Sequence, residues 1–184
     1  MSSHCNQNLV SKLTIPQGLW DAGHSLFKST TESFPVAFIP GDVFQLTDGI
    51  QEAPVLDRPD LASLDSLTPL KGLVSVLSAV HFFHLFDEER CKDIVGRLAL
   101  LLSHEPGSII FGMHLGAPET IVQSTPAGNM LCHLPDSWTK MWESCFPPQT
   151  IKVEAKLVEG RQIMAKAYAS NVSVRLLKWS VERV

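Results

Sequence analysis

The chain has 184 residues, 45% hydrophobic and 18% charged, with a formal net charge of -4. This is enough for one soluble domain with a substantial core. The 15 Lys and Arg are scattered, which argues against a nucleic-acid partner, and no apolar run reaches the roughly 20 residues of a membrane-spanning helix. Residues 1–11 are polar and lack the apolar segment of a secretory signal, so a cytoplasmic protein is expected. Cys5, Cys91, Cys132 and Cys145 form no CxxC pair and read as free thiols, with Cys91 a packed small residue on a helix.

In chain order, residues 1–12 read as a loose arm and 13–15 as a very short strand. Pro16 then favours a turn into a helix from Gln17 to about Lys28. Leu19, Trp20, Gly23, His24 and Phe27 share one face of that helix. Trp20 reads there as core, and it is also a candidate aromatic for substrate binding. Residues 34–39 read as a strand closed by Pro40, Gly41 and Asp42, where an aspartate can bind a ligand hydroxyl or amine or cap the turn. Residues 47–70 read as a long loop with one helical turn near 61–67, a candidate lid.

Residues 71–86 carry most of the information. Leu73 to Val80 is almost continuously Val, Leu, Ala and Ser, the pattern of a central parallel strand buried on both faces. It runs into His81, Phe82, Phe83 and His84, and then into Asp87, Glu88 and Glu89, whose charge suits the positive end of a starting helix. Residues 88–103 place Cys91, Ile94, Val95, Leu98, Leu101 and Leu102 on one helical face. Residues 108–114 read as a buried strand ending at His114, 116–128 as a loop, and 135–144 as a helix through Trp138, Met141 and Trp142. Residues 151–159 and 174–182 alternate like an antiparallel pair. The expected fold class is α/β in a single domain, with a mostly parallel sheet and a C-terminal antiparallel hairpin.

Three groups of residues are similar to motifs of fungal class I S-adenosylmethionine-dependent methyltransferases of polyketide and meroterpenoid pathways. They are Phe38 to Phe44, then Phe82 to Phe86, then Arg97 and Leu98 with Pro106 to Gly112. Gly128, Met130, His133, Ser137, Trp138 and Trp142 continue the likeness. The resemblance implies a truncated Rossmann-like sheet, with Asp42 matching the acid near the adenine and His84 the motif histidine at the end of the family's fourth strand. Several positions depart from the pattern. No glycine-rich loop precedes Leu13, Thr14 stands where the ribose-binding acid is usual, Ser75 replaces an aspartate, and His81 replaces a small polar residue. Without that loop and acid the donor loses two anchors, so the expectation is that no cofactor is bound in the usual way. Loss of the family's first strand also leaves the 73–80 strand with an unpaired apolar edge, so either residues 36–39 move over to pair with it or a second copy covers it, and a homodimer through that edge is expected.

Two functional readings lead, ahead of a weaker third in which the chain is a methyltransferase whose missing loop another chain supplies, or a gene fragment with no function. In the first, the vacated cleft serves a cofactor-independent isomerase or cyclase acting on a small apolar natural-product intermediate. Its acid and base groups come from His81, His84, Asp42, His114 and His133, and Phe82, Phe83, Met130, Trp138 and Trp20 hold the substrate. In the second, the chain is a non-catalytic pseudo-methyltransferase that acts as a partner or scaffold subunit. Metal chemistry and a serine-hydrolase mechanism are not expected, since His81 and His84 lack HExxH context and no GxSxG is present.

Overall fold

The computed structural model describes residues 17–39, 42–46, 59–119, 121–125, 128–158 and 175–184. The chain divides into two compact units, 1–71 and 72–184.

In the first unit, α1 spans Gln17–Phe27, close to the expected helix. Its expected core face is not buried: Leu19 is 64% and Phe27 79% exposed. Trp20 instead stacks on Phe38 with ring centroids 5.2 Å apart and meets His24 edge-on. The strand expected at 34–39 does not form: Pro35 offers no ladder donor, and the Val36 N–H turns back locally to the Phe34 carbonyl at 2.8 Å. Asp42 caps a 3-10 turn at Val43–Gln45, accepting the Phe44 N–H at 2.9 Å. Of the candidate lid, residues 47–58 lie outside the described residues, as do the expected arm and the 13–15 strand. Residues 59–70 hold two single 3-10 turns, Leu61–Ser63 and Thr68–Leu70.

In the second unit, β1 (Val76–Val80) pairs parallel with β2 (Ile109–Gly116). The crossover between them is α2 (Glu88–Leu101), whose buried face is Cys91, Ile94, Val95, Leu98 and Leu101, and whose Asp87 cap accepts the Arg90 N–H at 2.9 Å. β6 (Arg175–Arg183) lies antiparallel to β2 and to β5 (Ile151–Val158), giving the order β1-β2-β6-β5. The described sheet is therefore mixed, with one parallel and two antiparallel pairs, rather than mostly parallel. Only one crossover returns in parallel, and the β5–β6 hairpin inserts against the free side of β2.

β1 is an edge strand among the described residues. Val76 and Val80 are 63% and 47% exposed on one face while Ala79 is buried on the other. The reading of a strand buried on both faces is thus corrected, since an apolar run marks capacity for burial and not its completion. The expected loop at 116–128 contains β3 (Ile121–Thr125), which forms a two-stranded antiparallel pair with β4 (Gly128–Cys132).

α3 spans Pro135–Glu143, with proline in its first turn. Trp138, Trp142, Phe83, Ile110, Leu177 and Val181 are all but fully buried and form the centre of the core. Each such side chain contributes about 1.5–3 kcal/mol by leaving water. Gly112 makes this packing possible, since a Cβ there would run into the Ala79 carbonyl and the Trp179 ring.

Candidate functional site

The carboxyl end of β1 carries the first group of candidate residues. The His81 N–H donates to the Met113 carbonyl at 2.7 Å and extends the β1–β2 ladder by one bond. His81 then takes φ +52, a left-handed conformation that costs an L-residue other than glycine about 1–2 kcal/mol. That turn directs the chain out of the sheet and into a 3-10 turn at Phe83–Leu85. His81 is exposed, and the half-buried His84 ring lies edge-on to it with centroids 6.0 Å apart. His84 Nδ1 is buried and has no hydrogen-bond partner among the described residues. Burial, and then the neighbouring His81, hold the His84 pKa below the ordinary histidine value. His84 is therefore neutral at pH 7 and able to accept a proton. Phe82 packs on Phe86 at 5.1 Å, and Phe83 is core, edge-on to Trp138 at 4.8 Å.

The second group is sealed beneath it. His114 lies inside β2 rather than at its end, because Leu115 and Gly116 continue the ladder with Leu176 and Arg175. His114 Nδ1 accepts the Trp179 indole N–H at 3.0 Å, which places the ring proton on Nε2. His133, just beyond β4, is 3% exposed, with its ring centroid 6.0 Å from that of His114 and 5.1 Å from that of Trp138. Burial, with a lesser effect from neighbouring histidines, pushes the His114 pKa down to about 3. Burial pushes His133 down to about 4, partly opposed by the Glu88 carboxylate. Neither can act as a charged acid near neutrality. His114 Nε2, His133 Nε2 and the indole nitrogens of Trp138 and Trp142 have no partners among the described residues.

The fold thus gathers His81, Phe82, Phe83 and His84 on one turn, and His114, His133 and Trp138 in one buried cluster that Phe83 reaches at 5.8 Å from His114. Met130 lies in β4 opposite Gln123. Asp42 and Trp20 belong to the first unit, where the Asp42 carboxylate caps a turn and Trp20 stacks on Phe38. Cys91 donates its thiol to the Phe83 carbonyl at 3.4 Å, and burial pushes its pKa up to about 12, so it is a packed residue and not a nucleophile.

Sequence reasoning missed two features. Trp179 emerges as a partner of His114 only when β6 is placed beside β2. A cleft of about 330 Å³ is lined by Glu88 and Lys92 from α2, Leu131 and His133 from β4 and its end, and Ser137, Lys140, Met141 and Ser144 from α3 and its end. Three separate elements build it, so no local spacing announces it. Among the described residues no three His, Cys, Asp or Glu side chains gather to hold a metal ion, and no helix is long and apolar enough to cross a membrane.

No protein-family model matches the chain. Part of it is similar to curated fungal methyltransferases. It is 29% identical over 140 residues to O-methyltransferase phiE of a fungal species, covering 75% of this chain and 41% of that protein. It is 33% identical over 100 residues to O-methyltransferase atr3 of Stereocaulon alpinum, covering 50% and 29%. It is 31% identical over 81 residues to the asnovolin E/chermesin D methyltransferase nvfJ of Aspergillus novofumigatus, covering 43% and 29%. The aligned part spans less than half the length of each of these relatives.

The resemblance places Asp42 beside the adenine of S-adenosylmethionine. The Asp42 carboxylate is engaged in its cap.

Proposed function

We propose that this chain acts on a small natural-product intermediate as a cofactor-independent isomerase or cyclase, with His81 and His84 moving the proton. The carrying observation is the turn at β1's carboxyl end. His81 is held at φ +52, next to a half-buried His84 whose Nδ1 has no partner among the described residues. Strained backbone that persists at a strand end is a recurrent mark of a working site. Neutral His84 takes a proton from a substrate carbon or hydroxyl. His81 delivers a proton to the oxygen on which charge builds as the new bond forms. His114 and His133 remain neutral beneath the site and act through packing, and Asp42 is left out of the proton relay because of its cap. The similarity to methyltransferases, one of them named for asnovolin E and chermesin D, supports a small-molecule substrate.

A second reading is favoured by the open edge of β1, where Val76 and Val80 stand exposed. On that reading the chain is a non-catalytic partner subunit that joins another protein through this strand. One experiment separates the readings. The gene is deleted in its native host and restored as wild type, as His81→Ala with His84→Ala, or as Val76→Lys with Val80→Lys, and metabolites are followed by mass spectrometry. Loss of the histidines should cause an isomer of the normal product, equal in mass, to accumulate. A compound one methylene lighter would point to methyl transfer instead, and full rescue by the histidine variant with failure of the edge variant would favour the partner.

A further inference from the structure

We infer that the cleft bounded by Glu88, Lys92, Leu131, His133, Lys140 and Met141 is a binding site for a small organic acid with an apolar body and one carboxylate. Its volume, about 330 Å³, falls within the roughly 300–1,000 Å³ of pockets that hold small molecules. The lining combines a greasy floor with a charged mouth. Leu131 and Met141 are almost fully buried and supply apolar surface. At the mouth, Glu88 and Lys92 neutralise each other in an ion pair of 2.7 Å. Lys140 has no ion-pair partner among the described residues, so the cleft keeps one uncompensated positive charge.

His133 also lines the cleft, but its Nε2 is buried in the protein and takes no part in the contact. A carboxylate paired with Lys140 at the mouth leaves the apolar body to cover Leu131 and Met141. This inference concerns occupancy of the cleft and does not depend on whether His81 and His84 turn over a substrate.

The test uses the full chain carrying methyl-labelled methionine, with the Met141 signal assigned from Met141→Leu. Phenylbutyrate is titrated as the probe, beside the neutral phenylbutanol. Phenylbutyrate should shift the Met141 methyl saturably and bind more tightly than the alcohol. Lys140→Gln, a change at an exposed position, should weaken the acid roughly two- to fivefold, the size of one exposed charge contact, and leave the alcohol unchanged. No saturable shift at Met141, or equal affinity for acid and alcohol regardless of Lys140, overturns the inference.

Discussion

The Trp179 indole N–H donates to His114 Nδ1 at 3.0 Å in the core, across 65 residues of sequence. This bond ties β6 to β2 through side chains as well as backbone and holds His114 in one tautomer. Trp179→Phe removes the donor and leaves a buried acceptor alone, a loss of about 1–3 kcal/mol before any cavity term. Urea denaturation should show that loss, and nitrogen NMR should show the His114 ring no longer locked with its proton on Nε2.

The two sealed histidines predict acid sensitivity. His114 and His133 fall from the ordinary 6.5 to about 3 and about 4 in the folded chain. Below pH 6.5 the unfolded chain therefore binds protons that the folded one refuses. Their contribution is whole above pH 6.5 and is lost as pH falls toward 4 for His133 and 3 for His114. Each should lower stability by up to about 1.4 kcal/mol per pH unit in that window. His133→Gln should remove its own share of the histidine-dependent slope between pH 6 and pH 4, leaving the shares of His114 and His84. An unchanged slope would show that His133 titrates freely.

His81 occupies a backbone conformation that glycine adopts without strain. His81→Gly should therefore stabilise the fold by up to about 1 kcal/mol while removing the proposed proton donor. The paired measurements are the thermal midpoint and metabolite rescue. A destabilised His81→Gly would mean that the imidazole is held by packing and not tolerated for function.

Gly112 predicts the opposite sign. A Cβ there meets the Ala79 carbonyl and the Trp179 ring, so Gly112→Ala should cost about 1–3 kcal/mol, as overpacking does. Guanidinium unfolding with an unchanged m-value would assign the loss to the native state.

The β1 edge bears no charged side chain and no proline between Val76 and Val80, so nothing on it discourages pairing with a second copy. Light scattering after size exclusion should find a dimer that Val76→Lys with Val80→Lys dissociates. A wild-type monomer at tens of micromolar would dismiss self-association through this strand.

The parts of the fold legible in the sequence were those governed by local period. Asp87 and the spacing of Cys91, Ile94, Val95, Leu98 and Leu101 specify α2, and alternation locates β5 and β6 to within a residue. Illegible were properties set by distant neighbours. Val76 and Val80 look like core until β1 is seen at the sheet's edge, and residues 34–39 look like a strand until Pro35 leaves them without a ladder. His81 and His84 could be placed on one turn from their spacing, whereas the cleft beside His133 needed α2, β4 and α3 to converge.

Ile109 faces Glu182 across the β2–β6 ladder, so β2 gains its second neighbour from a strand made long after it. A nascent chain emerging from the ribosome carries β1, α2 and β2 without that cover until translation has passed residue 183. Closure over so long a loop is slow. During that interval Leu115 and Ile110 are open to chaperones and to neighbouring chains, which makes the yield of native protein depend on how quickly synthesis runs through β6.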